Sequence, residues 1–168
     1  MKLNSIKLII AKEREICNEQ LQWGIVKTPF GDCAISFWKE SVYELSFIQY
    51  LEGFTLPWKR NDELANSVIQ QILSDDTSEI TLVLQGTDFQ VTVWKALLSI
   101  PYGTTCSYHE LAAHIQMPRA TRAVASAIAK NKIALLIPCH RVILANGSIG
   151  QYRWGAEIKE TLLRWERD

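Results

Sequence analysis

The stretch SYHELAAHIQMPRATRAVASAIAK, Ser107 to Lys130, decides how the second half of the chain folds. Ser107 followed three residues later by Glu110 is the pattern of a capping box, in which two side chains satisfy orphan amides at a helix start. It opens a short helix through Leu111 and Ile115. Met117-Pro118 breaks that helix, because proline lacks the amide hydrogen and crowds the preceding residue. Arg119–Lys130 then reads as a second helix, rich in alanine, the best helix former. Two short helices joined by a tight break suggest a helix-turn-helix, a pattern that helical hairpins share. On the second helix Ala120, Thr121, Ala123, Ala125, Ser126 and Ala127 are small, and only Arg119 and Arg122 project far. A major-groove reader carries several Asn, Gln or Arg to reach base edges. A smooth helix with one or two arginines suits a close, sequence-tolerant approach to DNA; alanine as a mere helix former explains the same composition.

Working outward, Thr87 with Gln90 makes another capping box, ahead of a helix whose Phe89, Val93, Leu97 and Ile100 share one face. Pro101-Tyr102-Gly103 stops it. The first half reads as mixed strand and helix. Gln22–Lys27, Cys33–Trp38, Val42–Ile48 and Ile80–Leu84 are strand-like runs bounded by turn residues. Asn61–Leu73 carries Leu64, Val68 and Ile72 at helical spacing. The expected class is α+β: a small mixed α/β support domain over residues 1–86 and a mainly helical domain with the helix-turn-helix over 87–168.

Of the 168 residues 48% are apolar and 21% charged, the balance of a globular protein. The longest apolar run, Ile133–Pro138, is too short to span a bilayer, and Met1-Lys2-Leu3-Asn4 has no signal-peptide pattern. Four scattered cysteines (Cys17, Cys33, Cys106, Cys139) fit a reducing, cytoplasmic setting and no zinc site. The formal net charge is zero. It divides unevenly: residues 1–86 hold eight basic and twelve acidic groups, residues 87–168 ten and six. No acidic residue lies between Leu111 and Ala156, where Arg119, Arg122, Lys130, Lys132, Arg141 and Arg153 accumulate, so a polyanion would sit there.

The apolar run feeds into Pro138-Cys139-His140-Arg141-Val142. A cysteine after a proline and beside a histidine has the setting of a nucleophile, whose reactive form is the thiolate. A buried structural cysteine or a lone metal ligand has the same local pattern.

Pro138-Cys139-His140-Arg141-Val142 resembles the active-site signature of the O6-alkylguanine-DNA alkyltransferases, the methylated-DNA–protein-cysteine methyltransferases. Val93-Trp94, Ile100-Pro101-Tyr102-Gly103, Ser107-Tyr108, Leu111-Ala112, Arg122-Ala123-Val124, Asn131, Gly147, Tyr152, Lys159, Leu162-Leu163 and Glu166 resemble that family's pattern in order and spacing. The likeness is strong over residues 87–167 and weak at Thr28-Pro29-Phe30-Gly31 and Leu45–Phe47. It implies a ribonuclease-H-like first domain. It also implies single-turnover DNA repair, an alkyl group passing irreversibly from the guanine O6 in double-stranded DNA to Cys139, with thymine O4 an open second substrate. By the same resemblance His140 deprotonates the cysteine through a water, Glu166 orients the histidine, and Asn131 bridges the DNA-binding helix and active-site strand. Tyr108 donates to the departing purine and Lys159 supports the site. Arg122 fills the stack left by a flipped nucleotide, with Ser107, Arg119, Ala120, Thr121 and Ala123 beside it on the DNA. Val142 (through its carbonyl), Tyr152, Arg153 and Trp154 line the base pocket. No cofactor, metal or membrane is implied, and the protein is expected to act as a monomer.

Two positions depart from the pattern. Lys132 stands where proline is common. Arg153-Trp154-Gly155 stands where a small residue and paired glycines are frequent, a bulky variant similar to the bacterial adaptive-response methyltransferases, and Trp154 is expected to narrow the pocket. The competing readings are a non-reacting damage sensor, a transcriptional regulator and a cysteine hydrolase.

Overall fold

The computed structural model describes residues 6–12, 15–16, 21–48, 56–74 and 79–168. Cys17, one of the four cysteines, lies outside them. Two compact units emerge, one of residues 1–85 with 132–136, the other of 86–131 with 137–168.

The first unit is built on a six-stranded mixed sheet. Its strands are β1 (Ile6–Ile10), β2 (Leu21–Thr28), β3 (Gly31–Trp38), β4 (Ser41–Phe47), β5 (Lys59–Arg60) and β6 (Ile80–Leu84), in the order β1-β6-β4-β3-β2-β5. β2, β3 and β4 are joined as antiparallel hairpins, and β6 runs parallel to both β4 and β1. β3 is central, and Cys33 to Trp38 are all buried. α1 (Asp62–Leu73) starts at Asn61, whose side chain accepts from the Leu64 amide at 3.0 Å. A Cβ on Gly24 of β2 would lie 2.7 Å from both the Ala65 Cβ and the Asn61 carbonyl, so only glycine lets α1 approach this closely. Ala65, Ile69 and Ile72 are the buried stripe of α1, while Leu64 and Val68, expected there, flank it half-buried. The four expected strands are present to within a residue or two. β1 and β5 were not foreseen, because each pairs in parallel at a sheet edge with a partner distant in sequence.

In the second unit α2 (Asp88–Leu98) carries the expected Thr87/Gln90 capping box. Its buried face is Val91, Val93, Trp94, Ala96 and Leu97, with Phe89 only half-buried. Trp94 takes the central place because its indole nitrogen donates to the Ala127 carbonyl at 2.9 Å. β7 (Cys106–Ser107) leads into α3 (Tyr108–His114), which has the Ser107/Glu110 capping box. Gln116 turns the chain at φ 61°. The single helix expected over Arg119–Lys130 is divided, a 3-10 turn at Pro118–Ala120 preceding α4 (Thr121–Ala129). Pro118 holds Met117 out of helical geometry, and the first turn tightens to compensate. A 3-10 turn at Cys139–Arg141 runs into β8 (Val142–Ile143), which pairs with β7. α5 (Ala156–Trp165) closes the unit, burying Ile158, Lys159, Leu162 and Leu163. Trp165, expected in that stripe, is 45% exposed, and Glu166 takes the buried place four residues beyond Leu162.

The single domain cut expected at 86/87 is corrected by Lys132–Leu136, which returns to the first unit. Leu45 N donates to the Lys132 carbonyl (3.0 Å), Ala134 N to the Leu45 carbonyl (2.8 Å), and Lys132 pairs with Glu44 at 3.1 Å. No helix among the described residues is long and apolar enough to cross a membrane.

Candidate active site

Ile133 to Pro138 are buried, and the tight turn after them places Cys139, His140 and Arg141 in succession in the interior. Asn131, just past the end of α4, sends its amide nitrogen to the Cys139 sulfur at 3.1 Å and to the Ile137 carbonyl at 3.3 Å. Tyr152 acts on the same sulfur, favouring its thiolate. The sulfur forms part of the wall of a cavity of about 280 Å³. Tyr108 from α3, Ala125, Ile128 and Ala129 from α4, and Gln151, Tyr152 and Arg153 from the loop before α5 complete it. Burial pushes the Cys139 thiol up, and the hydrogen bond from Asn131, with Tyr152 and the Lys159 charge, recovers only part of that. The resting group is therefore a thiol, which needs a base before it can act as a nucleophile.

A base follows it in the chain. His140 is fully buried, and its Nε2 lies 2.8 Å from Glu166 Oε1. Its Nδ1 has no hydrogen-bond partner among the described residues. Burial lowers the histidine below its ordinary value, and Arg141 and Lys159 act in the same direction against the pull of Glu166. Beside a carboxylate, the neutral ring carries its proton on Nε2 and keeps Nδ1 as acceptor. Burial alone would raise Glu166, but hydrogen bonds from His140 and Arg141 hold it down at about 2. Gly103 N adds a donor to Oε2 at 3.3 Å, at a position with φ +73°. Lys159 Nζ donates to the Val142 carbonyl at 2.6 Å, and burial brings it down to about 8 despite the opposing influence of Cys139. The arrangement supplies a thiol, a neutral imidazole anchored by a carboxylate, and a cavity beside the sulfur.

Residues 88–168 match the family model described as the 6-O-methylguanine DNA methyltransferase DNA binding domain. A methylated-DNA–protein-cysteine methyltransferase of Methanosarcina barkeri is 36% identical over 155 residues, 88% of this chain and 98% of that protein. The chain belongs to the methylated-DNA–protein-cysteine methyltransferase family. The bifunctional transcriptional activator/DNA repair enzyme Ada of Escherichia coli is 49% identical over 102 residues, covering 60% of this chain and 29% of that protein. The crystal structure of Mycobacterium tuberculosis OGT in complex with DNA superposes with a TM-score of 0.75 at 34% identity, covering 87% of this chain and 92% of that one.

Of the residues that the methyltransferase pattern singles out, Cys139, His140, Glu166, Asn131 and Lys159 converge in one buried cluster, and Tyr108, Tyr152 and Arg153 border the cavity. Arg119, Arg122 and Ala123 are exposed, and Ala120 and Thr121 half-buried. Ser107 spends its hydroxyl on the Glu110 amide at 3.1 Å, as a cap. Two of the residues expected at the base pocket lie outside this cavity. Val142 is fully buried with its carbonyl on Lys159, and neither it nor Trp154 forms part of the cavity wall. Trp154 is 2% exposed and packs edge-on against Tyr152, ring centres 5.2 Å apart, behind the wall. The basic stretch is also smaller than its sequence suggests, because Arg141 is bound to Glu166 and Lys132 to Glu44. Sequence reasoning missed Arg141 and Gly103 as partners of Glu166, and Gln151, Ala125, Ile128 and Ala129 as cavity wall. The small residues of α4 were noticed only for approach to DNA, although the same smallness leaves room for the cavity. Among the described residues no cluster of three metal-ligating side chains occurs.

Proposed function

We propose that this protein repairs DNA by moving a methyl or other small alkyl group from the O6 of guanine to Cys139, irreversibly and once per molecule. The observation that carries the reading is a buried thiol on a cavity wall, held by Asn131 and adjacent to an imidazole whose free Nδ1 is its basic end. His140 Nδ1 takes the thiol proton through a water. The sulfur then attacks the alkyl carbon in line, the carbon–oxygen bond breaks, and its electron pair leaves on the purine. Tyr108 donates the proton that makes guanine a neutral leaving group. The product is a thioether, which water cannot readily displace, so the protein is consumed.

The target base must leave the duplex to reach the sulfur, at a cost of a few kcal/mol. Arg122, exposed near the start of α4, fills the vacated stack, while Ser107, Arg119, Ala120, Thr121 and Ala123 border the strand. α3 and α4 act as the helix-turn-helix of a DNA-binding and alkyl-acceptor unit. The first unit is a ribonuclease-H-like support, a reading helped by its three antiparallel strands, following helix and parallel β6. The setting is cytoplasmic. Intact mass after incubation with duplex DNA carrying O6-methylguanine tests the reading: a gain of ~14 Da mapped to Cys139, at one group per protein, is expected from single thioether formation. Turnover beyond one, or methylation at Cys106, overturns it. Cys139→Ser should bind the DNA and gain nothing.

A further inference from the structure

Glu166 is bound from two sides. His140 takes one edge of Oε1, and Arg141 grips both oxygens, with Nε to Oε2 at 2.8 Å and Nη2 to Oε1 at 2.9 Å. The third guanidinium nitrogen of Arg141 donates to the Ile100 carbonyl at 2.7 Å, and its plane lies 5.6 Å from the Tyr102 ring centre. The arginine is 8% exposed and has no freedom to serve a phosphate. This is the fork geometry in which guanidinium matches carboxylate, fixing orientation as well as charge. A buried carboxylate facing His140 alone would draw a proton onto the imidazole and leave a resting imidazolium, which cannot accept the proton of Cys139.

Building on the alkyl-transfer reading, we propose that Arg141 is a positioning residue for that reaction. By occupying both oxygens of Glu166 it offsets the carboxylate's charge and fixes its orientation, so that His140 rests as a neutral imidazole with Nδ1 open. The charged groups acting on His140 are Glu166 and Lys159 from α5 and its end, and Arg141 from its own turn. Of these only Glu166 favours the imidazolium against the others' cationic charge, and Arg141 is the cation in direct contact with it. The same grip removes Glu166 as a final proton acceptor, leaving it to orient Nε2.

The test is the pH–rate profile of methyl transfer in single-turnover experiments, with the 15N imidazole signals of His140 read on the same proteins. Transfer by the unaltered protein is established first; its absence would defeat the functional reading rather than this inference. In Arg141→Gln the acid limb is expected to move up by about one pH unit, as for a histidine beside an unbalanced carboxylate. At pH values below both inflections the rate should then fall about tenfold more than the rate at pH 8.5. Arg141→Lys retains the charge but reaches one oxygen at a time. It is expected to leave the acid limb in place and lower the rate evenly at every pH, and it decides the matter if the glutamine variant does not fold. A uniform loss in Arg141→Gln, or an undiminished rate in Arg141→Lys, overturns the proposal.

Discussion

At the scale of single residues, the environment of each group decides what its loss does. Glu166→Gln slows transfer by releasing His140, and it also strands the Arg141 guanidinium in the interior. Breaking a buried ion pair from one side costs about 3–5 kcal/mol, so a marked fall in urea midpoint is expected with the loss of rate. Arg122 is different, being exposed. Arg122→Ala should impair repair of duplex DNA and spare reaction with the free modified base, because the side chain is needed only to hold an emptied stack. Equal losses on both substrates would place Arg122 outside base flipping. Trp154 changes its meaning once its position is known. Trp154→Ala empties a fully buried site and should cost about 3–5 kcal/mol. Its effect on the ratio of methyl to benzyl transfer comes through Tyr152, whose ring it supports. An unaltered melting temperature would refute this packing role.

At the scale of elements, two capping boxes set where α2 and α3 begin, and both were expected from four-residue patterns. α3 is only seven residues long, so its first turn is a large part of its stability. Ser107→Ala should cost about 1 kcal/mol. Because Tyr108 follows the cap, transfer should slow more than in Thr87→Ala, where the cap serves a helix that contributes nothing to the cavity wall. Comparing melting temperature and transfer rate in the two variants checks this. Equal rates would mean that the position of Tyr108 does not depend on its cap.

At the scale of the whole molecule, the buried cluster predicts how stability responds to acid. His140 has its proton affinity lowered by folding, so the unfolded chain takes up protons first as pH falls through about 6.5, and stability declines from there. Glu166 is held near 2 when folded, so its contribution is complete above the ordinary carboxylate range and vanishes as pH falls toward 2. Unfolding free energy measured by urea at pH 7.5, 5.5 and 3.5 should fall at each step, and Glu166→Gln should flatten the lower one. DNA affinity should decline with salt, almost equally for unrelated sequences, as phosphate contacts dictate. The slope should be shallow, since Arg141 and Lys132 are already paired.

The sequence by itself determined what depends on neighbours along the chain. The capping residues of α2 and α3, the break at Pro118, the strand runs of the first half and the Pro138-Cys139-His140 motif all follow from local patterns along the chain. Recognition of the family rested on the same short motifs, held in order. Tertiary structure alone decided the rest. Arg141 meets Glu166 across 25 residues and Ile100 across 41. The parallel edges of the sheet, the return of Lys132–Leu136 to β4 and the burial of Trp154 behind Tyr152 likewise join distant segments. An arginine in a basic stretch looks like a phosphate ligand until the fold desolvates it. Burial then makes an unpaired charge so costly that the nearest carboxylate, rather than DNA, becomes its partner.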